Sequence, residues 1–197
     1  MITKKELFLN SDLRCGGFYE LCIQVCKSEN IKPIKEYTDF IWNLKNVDGP
    51  FDKNFNIIEV NIENMEHQGI LNLGNYSIPF KTFNIREENP IETGYNWFDI
   101  SFYAEAIEKI FGEEYTTWTE IQNSPKLLTA FFHQVMKSFF EIHNFELAMI
   151  DYEVSGQYYF SDLKSNFENY TSTKFYIAKK HIEEVAEINR KFIIVVD

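Results

Sequence analysis

Between Phe18 and Cys26 the chain alternates between apolar and polar positions. Tyr19, Leu21, Ile23 and Val25 fall on one side of an extended segment, and Glu20, Cys22, Gln24 and Cys26 on the other. That pattern predicts a half-buried strand with a polar outer face. Ile58, Val60 and Ile62 alternate with Glu59, Asn61 and Glu63 and predict a second strand. Gly69 to Leu73 and Tyr76 to Ile85 predict two more, joined at Gly74-Asn75. Pro79, together with the slip of parity between Phe80 and Phe83, predicts an edge strand or a bulge there. Leu147 to Val154 and Lys174 to Ala178 read as further strands. Phe192 to Val196 is apolar on both faces and is expected at the centre of a sheet.

Helical spacing appears elsewhere. Thr3 with Glu6 forms a capping-box pattern before a short helix over about 4–9. Ile34, Tyr37, Ile41 and Leu44 recur at helical intervals behind Pro33, a residue suited to a first turn. Asp99 or Ser101 is the expected cap of a helix running to Phe111, with Gly112 as its stop. Ser124-Pro125 opens a longer helix to about His143, with Leu128, Phe131, Phe132, Val135, Phe139 and Ile142 on its apolar face. Residues 180–190 repeat the pattern through Ile182, Val185 and Ile188. Strand runs and helix runs are partly segregated. The expected fold is therefore a single α+β domain over residues 1–197, a mostly antiparallel sheet of five to seven strands packed with three to four helices.

A chain of 197 residues with 45% hydrophobic and 25% charged residues can bury a core without metal or disulfide staples. No run of about 18 apolar residues is present to span a membrane. The opening Met1-Ile2-Thr3-Lys4-Lys5-Glu6 leads into no apolar leader region. Three cysteines, an odd count, then suggest reduced thiols and a cytoplasmic location. Cys22 and Cys26, on one strand, would lie about 13 Å apart and could not bond to each other.

Charge changes the picture more. The net charge is −11, and residues 51–153 carry all of the imbalance, six basic side chains against seventeen acidic. Within 87–120 stand Glu87, Glu88, Glu92, Asp99, Glu105, Glu108, Glu113, Glu114 and Glu120, opposed by Lys109 alone. Trp97, Tyr115 and Trp118 lie among them. Such a balance argues against nucleic acid and against anionic membranes as partners. If these carboxylates and aromatics gather on one exposed patch, they suit a basic protein partner. The expected function is then a non-enzymatic acidic protein-binding domain, such as an immunity or inhibitor protein masking a basic toxin or nuclease.

Catalytic motifs are sparse. His67, His133, His143 and His181 follow no zinc-site spacing, no phosphate-cradling glycine loop is present, and no cofactor is implied. Asp151 and Glu153, expected on one strand face about 6–7 Å apart, make the alternative of a metal-assisted hydrolase, with Asp99 or Glu20 as further ligands. A nuclease-like pattern would place Lys where Ser155 stands. A third reading is a small-ligand module with a pocket lined by Tyr and Phe.

Overall fold

The computed structural model describes residues 2–112, 124–165 and 173–197. Eight strands form one sheet, ordered β2-β3-β4-β5-β1-β6-β7-β8. They are β1 (Phe18–Lys27), β2 (Val47–Phe51), β3 (Glu66–Leu73), β4 (Tyr76–Arg86), β5 (Tyr95–Tyr103), β6 (Leu147–Tyr152), β7 (Lys174–Ala178) and β8 (Ile193–Val196). Every neighbouring pair is antiparallel except β7 and β8. The α-helices are α1 (Lys4–Leu9), α2 (Lys32–Trp42), α3 (Ala104–Phe111) and α4 (Lys126–Ile142). The class is the α+β expected, with one strand more than the upper estimate.

α2 and α4 cover one face of the sheet. Tyr19, Leu21, Ile23 and Val25 of β1 meet Ile34, Tyr37 and Ile41 of α2 and Leu128, Phe132, Val135 and Phe139 of α4. Tyr37 stacks on Phe139 with ring centroids 4.0 Å apart, and its hydroxyl donates to the His143 carbonyl at 2.6 Å. The expected polar face of β1 is also buried. Glu20, Cys22 and Gln24 are all at most 3% exposed. The reason is topological: β1 pairs with both β5 and β6, so it lies inside the sheet. Residues 153–165 and the 3-10 turns of 179–192 cover this second face, packing Val154, Phe160, Leu163 and Val185 against Cys22, Met149 and Phe175.

Four expectations about elements are corrected. The Ile58–Ile62 alternation forms no strand; the isolated bridge just before it joins Ile57 to Phe51. Residues 95–103, expected in part as the start of a helix, form β5, and the helix begins only at Ala104. β4 is interior and carries no bulge; its register against β3 is continuous through Pro79, which lies one residue outside the β5 ladder. The irregularity falls in β1 instead, between Gln24 and Cys26. β8, expected at the centre, is outermost, and Ile194 and Val195 stand exposed.

Candidate functional site

α2, β3 and β4 bring together a set of polar side chains on the helix-covered face. Thr38 and Trp42 lie one turn apart on α2, at the border of its apolar stripe. His67 and Thr82 are direct cross-strand partners, and Asn84 follows Thr82 on the same face of β4. Gly69, two residues beyond His67, makes room for the indole of Trp42. A Cβ there would come within 2.6 Å of both Trp42 Cζ3 and the Asp48 carbonyl. The indole stacks on Phe80 at 5.3 Å and lies 5.9 Å from the His67 ring.

These groups are buried but poorly paired. Thr38 Oγ1 donates to the Ile34 carbonyl at 2.8 Å and lies 3.1 Å from Asn84 Oδ1. The Asn61 N–H donates to His67 Nε2 at 3.2 Å, so the ring proton of neutral His67 resides on Nδ1. Burial lowers the His67 pKa and favours that neutral ring. Trp42 Nε1, His67 Nδ1, Thr82 Oγ1 and Asn84 Nδ2 have no hydrogen-bond partner among the described residues. At about 1–3 kcal/mol each, four such groups would cost roughly 4–12 kcal/mol, comparable to the whole stability of a domain. Groups of this kind are matched by ordered water or by a bound molecule.

Asn84 also lines a cleft of about 260 Å³. Ile31, Ile34, Ile62, Met65 and Ile85 form its apolar walls. Asn96 lies on its buried side, already satisfied by donating to the Lys27 and Asn30 carbonyls at 3.1 and 3.0 Å. Glu63 and Arg86 are exposed at its mouth. Arg86 takes part in none of the ion pairs found among the described residues.

The sequence-predicted partner residues do not form one patch. Glu87 is buried and accepts from Thr93 Oγ1, the Tyr95 N–H at 2.9 Å, Trp97 Nε1 at 2.8 Å and the Tyr159 hydroxyl at 2.9 Å. Burial acts to raise its pKa, but these bonds outweigh burial and hold it below the usual carboxylate value. Trp97 and Asp99 are 4% and 2% exposed, so neither can present itself to a partner. Glu88 and Glu92 are exposed in the β4–β5 connection, whereas Glu105 and Glu108 are partly exposed on α3. The nine residues of β5 stand between these two groups and separate them by about 26 Å. Glu113, Glu114, Tyr115, Trp118 and Glu120 lie outside the described residues.

The carboxylates of the alternative reading are each held by protein donors. Asp151 is buried in β6 and accepts from Thr173 Oγ1 at 2.7 Å. Glu153 lies past the strand end with φ 51° and accepts from the Phe18 N–H across the sheet. Glu20, cross-strand to Asp151, accepts from the Ser155 N–H at 2.7 Å and from Ser101 Oγ at 3.2 Å. Asp99 accepts from Ser155 Oγ at 2.7 Å. Burial, then the neighbouring Asp99, pushes the Glu20 pKa up to about 8, and burial pushes Asp99 up to about 6. Among the described residues, no group of three or more His, Cys, Asp or Glu side chains is arranged to hold a metal ion.

The polar set under α2 had only a faint signal in sequence. Thr38 and Trp42 interrupt or border a helical stripe, and Thr82 and Asn84 produce the apparent parity slip of β4. The architecture defines a class: an α+β domain with a small, half-apolar cleft ending on a buried carboxamide. Beyond that class, the chain matches no known protein-family model, no curated protein and no solved structure.

Proposed function

We propose that the protein is a non-enzymatic binding domain whose cleft takes a small molecule with a hydrogen-bond-accepting head and a short branched apolar tail. The observation that carries this reading is buried Asn84, whose Nδ2 has no partner among the described residues and which lines a cleft otherwise walled by Ile31, Ile34, Ile62, Met65 and Ile85. An acceptor such as a carboxylate or carbonyl oxygen satisfies that N–H, the tail fills the apolar walls, and Arg86 favours an anionic head. The volume is at the small end for ligand sites, which limits the ligand to a few carbons beyond its head. Melting temperature is measured with isovalerate, isocaproate and their amides, each at saturating concentration. The acids and amides are expected to raise it, and Arg86→Ala is expected to weaken the acids alone. No rise with any of the four compounds would overturn this reading.

A second reading is a binding domain for a basic protein, of the immunity or inhibitor type. Exposed Glu88 and Glu92, and partly exposed Glu105 and Glu108, make no ion pair among the described residues, which supports it. Two separated acidic ends would then touch two sites on the partner. Association must weaken as salt is raised, and Glu88→Lys with Glu92→Lys must weaken it further. A captured partner insensitive to both would refute it.

A further inference from the structure

We propose that His67 is a pH-sensitive catch for one wall of the cleft: its neutral ring holds the turn 61–65 against the sheet, and protonation of the ring releases that turn. The turn carries Ile62, Glu63 and Met65 to the cleft. Its internal bonds are local, from the Glu63 N–H to Asn61 Oδ1 and from the Asn64 N–H to the Asn61 carbonyl, both 3.0 Å. At its far end the Met65 carbonyl accepts from the Asn84 N–H of β4 at 2.8 Å. At its near end, among the described residues, the bond to the sheet is the one from the Asn61 N–H to His67 Nε2, 3.2 Å long. Val60 and Ile62 reach the core but are only partly buried, so packing holds this end weakly. A backbone amide can only donate, so the bond requires a lone pair on Nε2. Protonation turns that lone pair into a second donor and sets two N–H groups against each other.

The surroundings of the ring favour the neutral form. His67 is 1% exposed, and the buried face of α2 that packs over it carries no charge. That face presents the Trp42 indole, with ring centroids 5.9 Å apart, and β4 presents Thr82. Glu66, the preceding residue of β3, favours the proton, but it points to the opposite face of the sheet and is paired with Lys81 at 2.7 Å. On β2, Asp48 is taken by Lys4 at 2.6 Å, and Glu59 and Glu63 beside the turn are exposed. Burial outweighs Glu66 and holds the His67 pKa below the usual histidine value. The released ring binds a proton more tightly than the held one, so the closed turn is stable near neutral pH and is lost as pH falls. Release draws Ile62 and Met65 away from the cleft, so acid weakens binding there. That consequence rests on the reading of the cleft as a ligand site, whereas the motion of the turn does not.

Amide exchange and nitrogen shifts, followed by NMR on the ligand-free protein, test the catch. At neutral pH the His67 shifts should show Nε2 as the bare nitrogen, and the Asn61 amide shift should follow the His67 titration. Protection of the Asn61 amide, corrected for intrinsic exchange, should fall roughly tenfold or more between about pH 8 and about pH 5. His67→Gln keeps an acceptor near the Nε2 position that takes no proton, and should make that protection independent of pH. Isocaproamide, which does not titrate, should lose affinity over the same range in the wild type and keep it in the variant. No response to the amide at either pH counts against the cleft reading alone, because the turn is followed without ligand. An Asn61 amide whose shift and protection ignore the His67 titration would overturn the proposal, and so would an equal loss of protection in His67→Gln. The first of these is read on the wild-type chain and stands even where the variant fails to fold.

Discussion

Replacing Asn84 by Leu separates a ligand-binding carboxamide from a structural one. The two side chains are similar in size, so the change leaves no large cavity. It deletes a buried N–H without a partner, whose desolvation penalty is about 1–3 kcal/mol. It also removes the 3.1 Å contact with Thr38 Oγ1, which costs little because the single Thr38 hydroxyl proton goes to the Ile34 carbonyl. Thr38 is not stranded, because its hydroxyl still donates to the Ile34 carbonyl at 2.8 Å. The added methyl groups meet Ile34, Ile62 and Ile85, which already line the cleft. The balance favours the variant by roughly 1 kcal/mol, or a rise of about 2–4 °C in melting temperature for a domain of this size. Urea melts with a shared m-value provide the free energy, and the isovalerate titration is run on the same samples. The expected pair of results is higher stability with lost ligand response. A variant less stable than wild type by 1 kcal/mol or more would mean that the Asn84 amide is satisfied in the resting protein by something Leu cannot replace. The reasoning from an unpartnered donor would then fail.

Three further outcomes follow from the same geometry. Gly69→Ala forces a Cβ against Trp42 and the Asp48 carbonyl and is expected to cost about 2–3 kcal/mol, with a shift in tryptophan emission; a neutral change would mean that the indole does not lie on the sheet. The Glu20 carboxyl has a raised pKa in the folded state, so the folded form holds its proton more tightly, and stability present at pH 4.5 declines as pH rises toward 8. Asp99 contributes in the same direction between about pH 4 and 6. Glu20→Gln should flatten the decline between pH 6 and 8 by a few kcal/mol in denaturant melts, and an unchanged slope would refute the assignment. Glu87 has the opposite sign: its lowered pKa adds stability that is lost as pH falls below the usual carboxylate range. Glu87→Gln keeps the shape but loses charge-assisted bonds from Thr93, Tyr95, Trp97 and Tyr159, and is expected to cost about 2–4 kcal/mol near neutral pH and little in acid.

Local pattern alone determined the capped first helix, α2, α4, the hairpin of β3 and β4, and the α+β class. Thr3 and Glu6 do form a reciprocal capping box, since both partners lie within one turn. Which side of a strand meets solvent was beyond local pattern. Glu20 and Gln24 read as outward, but strand order places β1 between β5 and β6 and folds residues 153–165 over them. The same holds for charge. Carboxylates adjacent in sequence were divided by β5, which turned Glu87 and Asp99 inward and sent Glu88 and Glu105 to opposite ends of the sheet. The set of Trp42, His67, Thr82 and Asn84 exists only once α2 crosses the β3–β4 pair. Alternation and helical period act over a few residues through backbone geometry, whereas burial and the meeting of distant side chains depend on which surfaces the whole chain packs together.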